Sequence, residues 1–557
     1  MMKVIFRLDR LFSMLIISIT LCSTLPANAQ VLFRVNQVGY RSDDSKNAVI
    51  MSTELLKDLN YRIIGISGQI VHQGRLIRLI DPVCSYYLYS LDFSKIFKPG
   101  QFNIAIGSDI SPPVNIGNGL YKPEISKALD FFKAQRCGNT SPSFHKSCHL
   151  SDATILVSGP DEGQALNLTG GWHDAGDYTK FLNTTAYSAY LMMLSYEIQP
   201  EAFNDKDVNG TPDILDEARI GLDWCMKAHY SPNQLVIQVQ NKNDQTVGWR
   251  MPEDDPLAGK RPGYDKPSKA HCGIAAAALA LGGYIFKKRG DIEYGERCLQ
   301  HATQLYELAG RNIPISSCGP DSVYYDKTTW DNLALAAIEL YRTTGDVKYL
   351  NDAKSHLEAQ ETVHWVSWGD LSGLALARTA PYNQESLDSL NSQLSYFDDL
   401  SKMETFGYPL ESYPWGSASI QAGIAMLAVL HHNITGTGKF LPLAIKQRDF
   451  LLGMNSHGVS FISGVGLDFP RRLHHQISRI QDIVIPGGFA AGFVNVEMFQ
   501  NSKIVLDGRD RFQEFQNGIY VYHDDYNDYL TNEASISNNA QLLLALTWFC
   551  QSLAGER

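Results

Sequence analysis

The hydrophobic period of this chain changes near residue 120, and the change limits the possible folds more than any other feature. Before it, apolar side chains fall in short β-branched or aromatic runs: Ala48-Val49-Ile50-Met51, Tyr61-Arg62-Ile63-Ile64, Tyr86-Tyr87-Leu88-Tyr89 and Phe102-Asn103-Ile104-Ala105-Ile106. Turn residues such as Ser67-Gly68 and Lys98-Pro99-Gly100 separate them. Short strands at this spacing predict a small β-sandwich of immunoglobulin type over 30–118, a packing or spacer module. A Ser111-Pro112-Pro113 connection follows. Beyond it, segments rich in Ala and Leu carry a helical period at 129–132, 186–198, 214–227, 270–286, 293–308, 330–343, 347–357, 417–431, 440–452 and 533–550. Many helices with little strand signal predict a closed double ring of helical hairpins, an (α/α)6 barrel, over 119–557. Loops gather at one end of such a ring, where a cleft forms. The stretch 371–403 reads as a loop long enough to reach over one end of that cleft.

Composition narrows the function. The formal net charge of −11 argues against nucleic acid or anionic membrane as the main partner. Residues 1–29 read as a signal peptide. Lys3, Arg7 and Arg10 form its basic end, 11–22 its apolar stretch and Ala27-Asn28-Ala29 its cleavage site. That implies an exported protein, periplasmic or extracellular, with no membrane span after cleavage and a monomeric state. Export permits disulfides, yet the cysteine spacings form no small disulfide framework.

The richest stretch for chemistry is Gly170-Gly171-Trp172-His173-Asp174-Ala175-Gly176-Asp177-Tyr178-Thr179-Lys180-Phe181. Two aspartates three apart on a glycine-shaped loop suit general-base work, one acting while the other orients it or the water; a solvated turn accounts for the same residues. A second constellation runs from Tyr522 to Ala540 and contains His523, Asp524, Asp525, Tyr529, Asn532 and Glu533. Asn532 reads as the cap of a helix with Glu533 in its first turn, where the helix dipole favours the carboxylate. An acid catalyst there needs apolar rings or other carboxylates to raise its pKa against that dipole.

These stretches resemble glycoside hydrolase family 9, of the type with an N-terminal immunoglobulin-like domain. The loop is similar to the family's Asp-Ala-Gly-Asp motif. The C-terminal stretch matches its signature through Asp524, Tyr529, Glu533, Ser535, Asn539 and Ala540. A third match, between them, lies at Ser460, Ile462, Ser463, Gly466, Leu473 and His474. The resemblance covers essentially the whole mature chain. It implies inverting hydrolysis of a β-glycosidic bond, with Asp177 as general base, Asp174 positioning the water, Glu533 as general acid and Asp524 as a supporting carboxylate. His474, Trp415 and Tyr529 are the sugar-contacting residues it implies, Trp415 through a Trp-Gly-Ser segment of the family. Inversion needs one protonated and one ionised carboxyl about 6.5–9.5 Å apart. Two positions depart from the family pattern: Gln476 stands where Arg follows the histidine pair, and Asp468 replaces Asn, Lys or Arg.

Two metal sites are expected. Asp205, Asp207, Asn209, Thr211, Asp213 and Asp216 have the spacing of a calcium loop with Gly210 at the sixth position, and resemble a calcium-binding stretch of the family; a helix-capping turn is the alternative. Cys137, Cys148, His149 and His173 supply two thiolates and two imidazoles suited to structural zinc, as in relatives with the immunoglobulin-like domain; a Cys137–Cys148 disulfide is the alternative. No organic cofactor is expected. Trp249, Tyr324, Trp330, Trp365, Trp368 and Tyr413 either line sugar subsites or fill core. The implied activity is an endo-β-1,4-glucanase acting on polysaccharide or oligosaccharide. The alternatives are an exo-acting enzyme on glucosamine or chito-oligosaccharide ends, with Asp468 pairing an ammonium, and a non-catalytic carbohydrate-binding protein on the same scaffold.

Overall fold

The computed structural model describes residues 30–81, 85–320, 323–358 and 365–551, so the expected signal peptide lies outside the described residues. Nine strands build the N-terminal sandwich: β1 (Val31–Arg34), β2 (Asn47–Ser52), β3 (Asn60–Gly65), β4 (Ile70–Arg75), β5 (Ile77–Leu79), β6 (Tyr87–Asp92), β7 (Gly100–Ile106), β8 (Asp109–Ile110) and β9 (Val114–Ile116). One sheet has the order β1-β2-β6-β5, the other β4-β3-β7-β8 with β9 also on β7. Ile50, Tyr89, Ile63 and Ile104 meet between the sheets as one apolar core.

Twelve helices then form two concentric rings. The inner ring is α2 (Leu182–Ile198), α4 (Lys269–Lys288), α6 (Trp330–Thr344), α8 (Ser372–Thr379), α10 (Ser417–Thr435) and α15 (Ile536–Thr547), closed where α15 packs on α2. The outer ring is α1 (Lys122–Gln135), α3 (Asp213–Ala228), α5 (Ile292–Ala309), α7 (Val347–Glu358), α9 (Gln384–Met403) and α11 (Leu441–Leu451). The two classes read differently in sequence. Inner helices are buried all round, as α2 is from Leu182 to Ser195. Outer helices bury one stripe, as α5 does with Tyr294, Cys298, Ala302 and Leu305. Short elements sit in the loops: α12 (Gln476–Gln481), α13 (Val496–Ser502), α14 (Tyr529–Asn532), and strands β10 (Leu156–Val157), β11 (Lys180–Phe181), β12 (Val236–Val239), β13 (Gly263–Asp265), β14 (Val494–Asn495) and β15 (Tyr520–Val521). Among the described residues, α4 alone has the length and apolarity to cross a membrane, and here it is an inner-ring helix buried in protein.

Two sequence expectations are corrected. The stretch 371–403 is no cleft-covering loop; it forms α8 and α9. Leu390, Leu394 and Phe397 make the buried stripe of α9, but the Ser, Asp and Gln residues around them dilute the periodic signal. The last helix begins at Ile536 rather than at Glu533, because Ser535 caps it by accepting a hydrogen bond from the Asn538 backbone N–H.

The sandwich is docked on the barrel by buried polar contacts. Arg448 of α11 pairs with Asp44 at 2.5 Å and with Asp449, and Asn36 donates to Asp449 at 2.7 Å. The Arg41 guanidinium lies 4.4 Å from the ring centroid of Trp548. Arg41 and Arg448 with Asp44 and Asp449 form one buried cluster of two cations and two carboxylates, so removing one member leaves a buried charge uncompensated.

Candidate active site

Three stretches far apart in sequence are stitched together at Gly176. Its N–H donates to Glu533 Oε1 at 3.3 Å, and its carbonyl accepts from the Gln476 N–H at 3.2 Å. A Cβ there would lie 2.4 Å from the His474 carbonyl oxygen, so only glycine permits the approach. Further backbone bonds tie the same segments: Ile536 N–H to Asp174 O at 2.8 Å and His474 N–H to Asn532 O at 3.0 Å. The loop is anchored behind by Trp172, whose indole donates to Glu217 at 2.8 Å, and by Gly171, whose φ of +70° brings it against Trp224.

The carboxyls meet different environments. Asp174 is buried; Oδ1 accepts from Thr184 Oγ1 at 2.5 Å and Oδ2 from Tyr324 OH at 2.6 Å. Burial outweighs those two donors, and its pKa rises to about 7. Asp177 is half-buried; Oδ1 accepts from Thr179 N–H at 3.1 Å and Oδ2 from Gln245 Nε2 at 2.6 Å. Glu533 corrects the sequence reading. It lies in extended backbone between α14 and α15, outside any helical first turn, so no aligned dipole lowers its pKa. Desolvation first, then the charges of Asp177 and Asp174, push it well above the usual carboxylate range; the Gly176 N–H only partly opposes them. A buried carboxyl that is pushed to hold its proton thus shares one cleft with the half-buried carboxyl of Asp177, an arrangement that suits a general acid and a general base.

The cleft encloses about 580 Å³ and is lined by Asp174, Asp177, Glu533, Phe181, Tyr324, Trp249, Trp415, His474, Gln476 and Tyr529 among others. An adjoining lobe of about 290 Å³ shares Tyr324, Trp415 and Glu533 and adds Trp365 and Trp368. All three expected sugar-contacting residues therefore line the cleft. His474 Nδ1 lies 2.6 Å from the Tyr526 carbonyl, which makes it the donor and leaves Nε2 as an acceptor; burial lowers the ring's pKa. Of the other aromatics, Trp330 and Tyr413 do not line either lobe; Tyr413 stacks on Tyr408 at 4.1 Å.

Asp524 is outside the cleft lining. It accepts from the backbone N–H groups of Arg471 and Arg472 and pairs with Arg511 at 2.9 Å, which braces the segment leading to His474. Asp468 is also absent from the lining and is already paired with Arg511, which removes the basis for an ammonium partner there. Gln476 does line the cleft, and its Oε1 accepts from the Arg250 N–H at 2.8 Å.

Sequence reading passed over two groups. Gln245 and the buried Asp244–Arg250–Arg261 cluster lie in a region without periodic pattern or motif. Asp326, Asp331 and Asp370 are buried together near the start of α6; burial raises the pKa of each, and the charge of Asp331 adds to the rise, to about 7, of Asp326 and Asp370. Asp370 Oδ2 has no hydrogen-bond partner, and no lysine or arginine among the described residues pairs with any of the three. The sequence signal was Tyr324-Tyr325-Asp326 and Trp330-Asp331-Asn332, which reads as an ordinary helix start.

The four expected zinc ligands, Cys137, Cys148, His149 and His173, are buried with ligand atoms all within 4.8 Å of one another. Both cysteines are free thiols, so no Cys137–Cys148 disulfide is present. His149 Nδ1 faces His173 Nε2 at 3.2 Å, while His149 Nε2 is held by Asp255 at 2.9 Å. A carboxylate on the outer nitrogen of a ligating histidine fits a metal centre, and two sulfurs with two nitrogens fit zinc. Of the four carboxylates in the expected calcium loop, Asp205, Asp207 and Asp213 gather within that distance and Asp216 is not among them. Asn209 Nδ2 lies between Asp207 and Asp216 and donates to both, so the amide would have to turn over to offer oxygen to a cation.

The chain matches the model of glycosyl hydrolase family 9 over residues 121–546 and that of the cellulase N-terminal Ig-like domain over 28–111. It is 29% identical to endoglucanase A of Bacillus pumilus over 448 residues, which is 75% of this chain and 64% of that relative's own length. It is 26% identical to the cellodextrinase of Butyrivibrio fibrisolvens over 560 residues, 92% of this chain and 98% of that one. A crystal structure of a metagenome-derived glycoside hydrolase family 9 endoglucanase superposes with a TM-score of 0.80 at 26% identity, covering 94% of this chain and 99% of that one.

Proposed function

Since the chain belongs to glycosyl hydrolase family 9, we propose that it is an exported endo-β-1,4-glucanase that cleaves with inversion. The observation that carries the reading is the junction at Gly176, which sets Glu533 and Asp177 in one cleft with opposite demands on their protons. Glu533 gives its proton to the leaving glycosidic oxygen as the bond to the anomeric carbon breaks. A water attacks that carbon from the opposite face and passes its proton to Asp177. Asp174, held by Thr184 and Tyr324, orients the water. Asp524 supports the His474 segment from behind. Glu533 lines both the cleft of His474, Trp415 and Tyr529 and the adjoining lobe of Trp365 and Trp368, so rings in both can hold sugars near the cut, which supports internal cleavage over attack at an end.

Zinc, held by Cys137, Cys148, His149 and His173, has a structural place: all four positions are filled by protein, and His173 fixes the start of the loop that carries Asp174 and Asp177. Calcium is assigned to the loop of Asp205, Asp207 and Asp213.

The test is a product profile on carboxymethyl cellulose, mixed-linkage glucan, xyloglucan and chitosan oligomers, with Asp177→Ala alongside and the anomer followed by proton NMR. Mixed oligosaccharides released as the α-anomer, and lost in the variant, are expected. Single sugars cut only from chain ends, or β-anomers, would overturn the endo or the inverting part respectively.

A further inference from the structure

Asp177 sits among other carboxyls. Asp174, Glu533 and Asp244 each face it closely enough to feel its charge, and so do His474 and Tyr324. Arg250 and Arg261 are spent on Asp244 at 2.8 and 3.1 Å, and no lysine or arginine among the described residues forms an ion pair with Asp177. The hydrogen bonds that reach Asp177 come from neutral groups: Thr179 N–H, Thr179 Oγ1 at 3.4 Å and Gln245 Nε2 at 2.6 Å. The first two belong to its own loop. Gln245 belongs to the segment after β12 and gives the shortest of the three.

That segment is built to hold Gln245 still. The side chain of the preceding residue, Asp244, is buried, bound by Arg250 and Arg261, and accepts from the Asn241 N–H at 3.0 Å. Arg250 in turn donates its N–H to Gln476, and its carbonyl accepts from Tyr178 OH, next to Asp177. The family departure at Gln476 thus has a local use: its amide fixes the strap from which Gln245 reaches the cleft.

We propose that Gln245 is the positioning residue of the general base. This rests on the reading of Asp177 as base given above. The amide holds Oδ2 and leaves Oδ1, bonded only to Thr179 N–H, turned toward the water. A primary amide carries a donor and an acceptor in one plane. Before attack its N–H pairs Oδ2 of the carboxylate; after the water's proton has moved to Oδ1, Oδ2 is the carbonyl oxygen of the acid and still accepts that N–H. The side chain lines the cleft. One neutral residue therefore serves both protonation states of the base without adding charge to the site.

The experiment compares wild type, Gln245→Leu, Gln245→Glu and Asp177→Asn on cello-oligosaccharides, reading kcat, KM and the pH dependence of kcat/KM, whose acid limb reports the free enzyme's base. Thermal melting checks that each variant folds. Gln245→Leu removes both halves of the amide: kcat is expected to fall at least tenfold with KM within about twofold, and the acid limb to move up by about one pH unit. Gln245→Glu sets a carboxylate against Asp177, so the limb moves further up, by about two units. If Asp177→Asn is inactive but the limb stays in place in both Gln245 variants, the positioning role is overturned while the base assignment stands. If Asp177→Asn keeps turnover, the base assignment falls and takes this inference with it.

Discussion

Gly176→Ala isolates the contact on which the site depends. The backbone at Gly176 is not in the left-handed region, so the substitution carries no conformational strain of its own; its effect is steric. The added Cβ would stand 2.4 Å from the His474 carbonyl oxygen and 3.3 Å from Glu533 Oε1. Ordinary contact begins near 3.4 Å, so the loop and the His474 segment must separate by about 1 Å. Neither side yields easily, because the obstacle is backbone held by the His474–Asn532 bond and by Asp524. A displacement of about 1 Å between acid and base costs on the order of a hundredfold in kcat. Overpacking of this kind costs about 1–3 kcal/mol of stability. The assay is kcat on a soluble β-glucan with a parallel melting curve, and Gly117→Ala as control, since its Cβ meets only Pro99 at 3.8 Å. A Gly176→Ala enzyme with kcat within twofold of wild type and an unchanged melt would refute the argument that this contact sets the spacing.

Other expectations follow from the same geometry. Glu533→Gln should abolish turnover on unactivated substrates yet stabilise the fold at neutral and higher pH. The folded-state pKa of Glu533 is raised, so folded protein holds a proton that unfolded chain has lost, and wild-type stability falls as pH rises above the ordinary glutamate value of about 4.3. A melting difference that grows from pH 4 to pH 8 supports this; equal curves across that range would contradict it. Cys137→Ser should drop bound zinc from about one per chain to near zero, read by elemental analysis, and lower the melting temperature, since the four ligands brace the loop of Asp174 and Asp177. Asp44→Asn leaves Arg41 and Arg448 buried with Asp449 as the one carboxylate between them and should cost about 3–5 kcal/mol, measured by denaturant unfolding; a loss below 1 kcal/mol would mean the domain interface does not rely on the Asp44 charge.

Much of this molecule is legible residue by residue. The switch from period-two runs to Ala- and Leu-rich helical segments divides the chain where the sandwich ends and the barrel begins, because burying one face of a sheet or one stripe of a helix needs different spacings. The glycine-flanked aspartates, the Cys-His adjacency and the C-terminal Asp and Glu are equally visible, since each carries its chemistry in a few consecutive side chains. Tertiary structure decided the rest. Only the closed ring brings Glu533 onto the N–H of Gly176, beside Asp177, and burial first, with the charges of Asp177 and Asp174, raises the pKa of Glu533, which the local sequence places at a stabilising helix start. Asp468 looks free in sequence and is paired in space; Gln245 looks featureless in sequence and reaches the base in space. The physical reason is common to all of these: propensity and pattern are local, whereas desolvation and charge–charge interaction depend on which distant segments share the same small volume.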